Sequence, residues 1–289
     1  MSCVLCGAND FKFIFRPPEV GEHALERCNA CSLLQMKPMP TDAELAAYYQ
    51  KYDVMGEREP YYRDLWGPDA LQSGEGRAIA DRTKWLRSIV AQPKKVLDIG
   101  SGPGLFLRLM KEAGASVMGV ELNARAAERS AQEFGVPVHA GRIAELRETG
   151  FDVITLWDLV EHVNDPHALI HDCAARLAPG GWLFIETPNE GSLLDVAVRT
   201  AVNLGVTGPA DTFYGMHHIA LFRPKTIRRL LETHGFKVMQ IRGAETDPAR
   251  IFRGTGFKDR VMCAGLGVLF FIARIVGKPN KMLIAAHRL

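Results

Sequence analysis

The sequence has no apolar run long enough to cross a bilayer. Its longest charge-free stretch, Val261 to Ala273, has 13 residues, where a spanning helix needs about 20. It also lacks internal repeats, low-complexity tracts and an excess of one charge sign. Lys plus Arg (35) against Asp plus Glu (33) leaves +2, so nothing announces a polycation for nucleic acid. Cysteine is scarce, at six in 289 residues, which excludes a disulfide scaffold. What remains is a globular composition, 47% hydrophobic and 24% charged. Its length suggests about two domains, or one large domain with an appendage.

The few cysteines are unevenly placed. Cys3, Cys6, Cys28 and Cys31 form C-x2-C, a 21-residue gap and a second C-x2-C. Two such knuckles can set four thiolates around one tetrahedral Zn2+. The gap reads as a hairpin: Phe11 to Phe15 as a strand, Pro17-Pro18 as its breaker, and Ala24 to Arg27 leading into the second knuckle. Residues 1–40 are therefore expected to form a zinc ribbon whose metal is structural, because all four positions are filled by protein. Two redox pairs or two disulfides are the alternative. Disulfides would require an oxidising compartment, and with no secretory signal before Cys3 a cytoplasmic location is expected. Cys173 and Cys263 have no partners by spacing and read as buried small hydrophobes.

Residues 41–93 read as a helical connector. It opens on a capping box (Thr41 with Glu44), continues through the Tyr-rich stretch 48–62, and ends in a helix carrying Ile79, Trp85, Leu86 and Ile89. From residue 94 strands and helices alternate, the pattern of a parallel α/β sheet. Strands are expected at Lys95–Ile99, Ser116–Glu121, Val136–His139, Asp152–Trp157, Trp182–Glu186, Lys237–Ile241 and Lys281–Ala286. Helices are expected at Leu105–Ala113, Ala124–Phe134, Pro166–Leu177 and Pro224–His234. Val261 to Ala273 is best read as a core helix packed on the sheet, with a membrane-surface or dimer helix as the other reading for 261–276.

Asp98-Ile99-Gly100-Ser101-Gly102-Pro103-Gly104 follows the first of these strands and opens a helix. Glycines there let backbone approach a ligand at the carboxyl edge of the sheet. Leu105 stands where the dinucleotide pattern would place its last Gly. Glu121 ends the next strand, where a carboxylate can accept both hydroxyls of a ribose. The joint pattern points to an adenosine ligand without the pyrophosphate fingerprint.

With these residues the segment Val96 to Gly104 resembles motif I of class I S-adenosylmethionine (SAM) methyltransferases. Phe151 to Val163 resembles the fourth-strand motif of that family, and Leu177 to Leu183 its turn before strand five. His218-Ile219-Ala220-Leu221-Phe222 resembles the His-x-x-x-Phe segment of a subgroup that often carries an N-terminal four-cysteine ribbon. The resemblance covers about 94–241, and with the ribbon nearly the whole chain. It implies an α/β fold: a Rossmann-like seven-stranded sheet with helices on both faces, 94–289, plus the small zinc ribbon. It further implies that Gly100, Ser101, Gly102 and Gly104 line SAM, that Asp98 orients the turn or meets the methionine ammonium, and that Glu121 with Leu122 beside it holds the ribose end. Trp157 and Asp158 would flank the sulfonium. Many relatives carry an acidic residue after strand three for the adenine amino group. Here Gly141-Arg142-Ile143 occupies that place, so backbone and apolar packing are expected to hold adenine.

Methyl transfer to a hydroxyl needs a base beside an aligned acceptor. His218 is the first candidate, His217 the second, with His162 and Glu190 as further options. Glu161-His162 could equally be structural. The segment 190–216 reads as a lid over the acceptor, and the tyrosines at 48–62 as the opposite wall. The expected activity is methylation of a small-molecule, sugar or glycan-linked acceptor, with O-methylation favoured. Ribbon-bearing sugar C-methyltransferases resemble a longer chain than one ending at Leu289. An RNA-modifying enzyme gripping nucleic acid with the ribbon is a second reading. It is weakened by Lys12, Arg16, Arg27 and Lys37 being balanced by Asp10, Glu19, Glu22 and Glu26. A non-catalytic interaction protein on the same fold is a third, opposed by the intact glycine turn and Glu121.

Overall fold

The computed structural model describes residues 2–17, 20–45, 47, 64–206, 213–248 and 256–289. In chain order its elements begin with β1 (Phe11–Phe15), β2 (Ala24–Cys28), β3 (Leu34–Lys37), α1 (Gly74–Ile89), β4 (Lys95–Ile99), α2 (Leu105–Glu112), β5 (Ser116–Glu121) and α3 (Ala124–Phe134). There follow β6 (Val138–Ala140), β7 (Phe151–Trp157), α4 (Pro166–Arg176), β8 (Leu177–Pro188) and α5 (Leu193–Asn203). The chain closes with β9 (Ala220–Leu221), α6 (Pro224–Thr233), β10 (Phe236–Ala244), α7 (Phe257–Ile275) and β11 (Lys281–Arg288).

Seven strands form one sheet in the order β10-β11-β8-β7-β4-β5-β6. The β4, β5, β6, β7 and β8 pairings are parallel, and β11 runs antiparallel to both β8 and β10. The seven expected strands are therefore all present. Alternate residues of the central strands feed opposite faces, as a period of two requires. Leu97, Ile154, Leu183 and Ile284 enter one core with α4 and α6 residues such as Ile170 and Leu230. Val96, Val153, Phe184 and Ala285 enter the other, with Trp85 and Leu86 of α1 and Phe106 of α2. Burying each such large apolar side chain contributes roughly 1.5–3 kcal/mol.

Local signals in the sequence start and stop the helices. Asn123 caps α3 by accepting from Arg125 N and Ala126 N, and Gly135, left-handed, ends it. Asp165 caps α4 ahead of Pro166, and Ser192 caps α5. The capping box is also formed: Glu44 N donates to Thr41 Oγ1 and Thr41 N to Glu44 Oε2. The segment Leu177 to Leu183, which resembles a turn before strand five, is part of a longer strand: Leu177 already pairs with Phe151, and left-handed Gly180 lies at the irregularity in that pairing.

The ribbon strands β1, β2 and β3 are antiparallel, and β9 from the far side of the chain adds a fourth strand against β3. Cys3, Cys28, Cys31 and Leu33 share a core with Ile170 and Phe222. A third core joins Phe15, Leu25 and Leu34 of the ribbon to Leu194 and Val198 of α5 and Phe270 of α7.

Helix α7 departs from the core reading of Val261 to Ala273. Its main packing partner among the described elements is α5, and of its apolar residues only Phe270 and Ala273 are buried. A charge-free stretch marks a helix surface that can be covered, but does not determine which element covers it. No described helix is long and apolar enough to cross a membrane.

Candidate active site

The glycine turn wraps over the end of β5. Gly100 N and Ser101 N both donate to Val120 O. Gly102 and Gly104 have positive φ (49° and 81°), a conformation that residues with a Cβ adopt only with strain. A Cβ on Gly104 would also lie 3.0 Å from that of Ser130. Glu121 locks the turn: its Oε2 accepts from Gly102 N and its Oε1 from Asn123 N, each at 2.9 Å. Burial raises its pKa. Trp66 of the connector donates to Pro103 O at 3.0 Å, covering the turn from outside. Leu122, beside Glu121, is exposed. Arg142 points to solvent and pairs with Asp42, while Ile143 is buried.

Asp98 is buried at the end of β4 and accepts from Thr155 Oγ1 at 2.6 Å. Desolvation pushes its carboxyl up to about 7, against the Thr155 hydrogen bond and the charge of Arg82. Trp157 ends β7, edge-on to Phe106. Asp158 follows with φ 50°, a sparsely populated state tolerated by Asp and often found at functional sites. Two buried polar atoms here, Ser101 Oγ and Trp157 Nε1, have no hydrogen-bond partner among the described residues.

Four residues unforeseen in the sequence, Lys281, Glu186, Arg82 and Glu75, shape this edge. Lys281, first residue of β11, donates to Asp158 at 2.6 and 2.9 Å and to Glu186 at 2.6 Å. Glu186 also pairs with Arg82, which in turn bonds Glu75. A lysine opening an apolar strand was the only available signal.

The three candidate histidines come together. One ring nitrogen of each of His162, His217 and His218 lies within 4.8 Å of the others, a set able to hold a divalent cation. His162 stacks on His217 with ring centroids 5.1 Å apart. His162 Nδ1 lies 2.9 Å from His217 O and His218 Nδ1 2.9 Å from Phe213 O. Each Nδ1 must therefore carry the proton, because a carbonyl can only accept. Desolvation lowers all three pKa values, that of His162 to about 3. Glu161, between Asp158 and His162, is pushed up to about 8 by burial and the Asp158 charge. Its Oε2 accepts from Thr187, and its buried Oε1 has no hydrogen-bond partner among the described residues.

Glu190 is caged by three arginines. Its side chain is fully buried and meets Arg27 of β2 (2.7 Å), Arg199 of α5 (2.6 Å) and Arg223 before α6. Burial would raise its pKa, but the hydrogen bonds from Arg27 and Arg223 and the charges of the arginines hold it down at about 2. It ties the ribbon to the segment 190–216, of which 193–203 is α5 and 207–212 lies outside the described residues. The tyrosines 48, 49, 52, 61 and 62 also lie outside them.

The four ribbon cysteines converge as free thiols. Cys3 Sγ lies 3.5 Å from Cys31 Sγ, and Cys6 Sγ 3.6 Å from Cys28 Sγ. Tetrahedral Zn–S bonds of about 2.3 Å put sulfurs roughly 3.8 Å apart, so the cluster has the dimensions of a Zn2+ site. Without a cation, burial pushes the Cys3 thiol up to about 11. Cys173 is buried as expected. Cys263 is only half-buried, with its thiol on Pro248 O.

A family model described as a methyltransferase domain matches residues 72–241. A ubiquinone biosynthesis O-methyltransferase of Paracidovorax citrulli is 29% identical over 222 residues, 71% of this chain and 86% of the relative. One of Burkholderia pseudomallei is 33% identical over 199 residues, 63% and 82% of the two chains. Among solved structures, the Burkholderia thailandensis 1,6-didemethyltoxoflavin-N1-methyltransferase with bound S-adenosylhomocysteine has a TM-score of 0.56 at 17% identity, covering 94% of this chain and 99% of that one. Magnesium protoporphyrin IX methyltransferase of Synechocystis PCC 6803 with S-adenosylhomocysteine also has a TM-score of 0.56, at 15% identity, covering 86% and 100%. At those identities the two structures show the fold alone. The sheet order, the glycine turn on Glu121 and the domain match lead to one conclusion: this chain belongs to the methyltransferase-domain family and is a SAM-dependent methyltransferase.

Proposed function

We propose that the enzyme methylates a hydroxyl oxygen of a small molecule, with His218 as the base. The observation that carries this reading is the cluster of three uncharged imidazoles beyond the end of β7, beside Asp158. Asp98, the turn from Gly100 to Gly104, Glu121 and Leu122 would hold SAM. Ser101 Oγ and Trp157 Nε1 are the buried orphan groups such a ligand could satisfy. SAM supplies a methyl group activated by its sulfonium.

The chain's own residues have two tasks. Glu121 and Asp98 orient the cofactor from one side. On the other, His218 has its Nδ1 proton committed to the Phe213 carbonyl, which leaves the Nε2 lone pair to take the acceptor's hydroxyl proton as the oxygen–methyl bond forms. Desolvation keeps the ring uncharged at neutral pH and so able to accept. His217 is the second candidate, and His162 packs beneath both. The names of the relatives support a hydroxylated intermediate of ubiquinone biosynthesis as the acceptor class, ahead of a sugar or glycan-linked one. Cys3, Cys6, Cys28 and Cys31 would hold a structural Zn2+ that closes the ribbon.

The test measures S-adenosylhomocysteine release with hydroxylated quinone precursors and with sugars, and locates the added methyl by NMR. We expect an O-methyl product and loss of turnover in His218→Ala with cofactor affinity retained. Transfer only to nitrogen or carbon, or full turnover by that variant, would overturn the reading.

A further inference from the structure

Helix α7 is apolar on two opposite sides. Leu266, Leu269 and Phe270 pack into the core shared with α5 and the ribbon, and Ala273, on the same side by helical periodicity, is buried. A second stripe with the same periodicity, Phe257, Val261, Ala264, Val268, Phe271 and Ile275, faces outward. Phe257, Val268, Phe271 and Ile275 are 84%, 60%, 65% and 70% exposed. A helix that is hydrophobic all round is normally covered all round. Among the described residues this one is covered on one side only, and a contiguous exposed stripe of this kind marks an interaction surface.

The charges around the stripe say what covers it. Arg260 and Arg274 are exposed near the two ends of the helix, and Lys278 is exposed just beyond it. At 100° per residue both arginines lie on the same flank of the stripe. Asp259 lies on the inner side and is half-buried. Between the arginines, 13 charge-free residues span about 20 Å. An apolar face with a cationic margin is complementary to a bilayer interface bearing anionic headgroups. A second copy of the chain fits less well. Arg260 and Arg274 each stand seven residues from Gly267. Antiparallel pairing centred there sets Arg260 of one copy beside Arg274 of the other, and parallel pairing sets each beside its equivalent.

We infer that α7 is a membrane-surface helix, which lays Phe257, Val261, Val268, Phe271 and Ile275 into an anionic lipid interface while its inner side stays docked on α5. The helix lies in the interface and does not cross it. This goes beyond the methyl-transfer reading and does not depend on it.

Co-sedimentation of the full chain with vesicles tests it, comparing pure phosphatidylcholine with equal parts phosphatidylcholine and phosphatidylglycerol. We expect binding at least about tenfold tighter to the mixed vesicles, weakening with salt. Val268→Glu and Phe271→Glu should abolish it with melting temperature and S-adenosylhomocysteine affinity unchanged. Arg274→Glu should weaken binding to the mixed vesicles several-fold. No binding to mixed vesicles would overturn the inference. So would full binding by the glutamate variants, or a dimer in light scattering that these variants split in a chain that binds no vesicles.

Discussion

Glu121 illustrates what a single carboxylate does at this sheet edge. It accepts from Gly102 N and Asn123 N, so it positions the glycine turn; in the proposed function it would also hold a ribose. Hydrogen bonds to a charged group contribute roughly 1.5–3 kcal/mol. Glu121→Ala should therefore weaken S-adenosylhomocysteine binding by about tenfold or more in calorimetry. Asp98, raised to about 7 by burial, makes a second, signed expectation. If it meets the ligand's ammonium, binding favours the ionised carboxyl. Affinity should then fall as pH drops below about 7, and binding near neutrality should release a proton, seen as a buffer-dependent heat. His218 gives a third. Its pKa is lowered from 6.5 by desolvation, and a base works unprotonated, so kcat/KM should stay flat through neutral pH and fall only below 6.5. A limb near 8 would point to Glu161 instead, which is raised to about 8. Glu121 and Asp98 were legible in the sequence because their place at the carboxyl end of a strand is a local property. Lys281 was not, because its partners Asp158 and Glu186 lie 123 and 95 residues away.

At the scale of elements, Glu190 joins β2, α5 and the start of α6 through Arg27, Arg199 and Arg223. Breaking a buried ion cluster from one side typically costs about 3–5 kcal/mol, so Glu190→Gln should lower stability by that order in denaturant melts. The pH dependence has a definite sign. With a folded pKa of about 2 against 4.5, Glu190 contributes fully above pH 4.5, and this contribution declines as pH falls towards about 2. The shift corresponds to roughly 3 kcal/mol. The parent should lose that stability in acid, and Glu190→Gln should not. Reading Glu190 as a possible base was reasonable from its position after β8. Only the folded chain brings three guanidinium groups to it. Strand β9 was hidden for a related reason: two residues, Ala220 and Leu221, carry no periodicity, and the strand exists because β3 offers an edge.

For the whole molecule, the ribbon does not stand apart. Cys3, Cys28 and Cys31 share a core with Ile170 and Phe222, and β9 extends the ribbon sheet. Removing a structural metal should therefore be felt beyond residues 1–40. We expect zinc bound stoichiometrically in elemental analysis, and chelation or Cys31→Ser to lower the melting temperature of the entire chain. A separate early ribbon transition with an unchanged main melt would show that the two parts are energetically independent.

By itself the sequence determined the sheet, its helices and their caps, the glycine turn, the carboxylates at the strand ends and the four-cysteine spacing. Each of these is written in periods and spacings within a few tens of residues. Tertiary structure decided the Lys281–Asp158 pair, the meeting of His162 with His217 and His218, the arginine cage of Glu190 and the outward stripe of α7. Those depend on which surfaces face one another after folding, and hydrophobic burial, being non-directional, leaves no local mark of that choice in the chain.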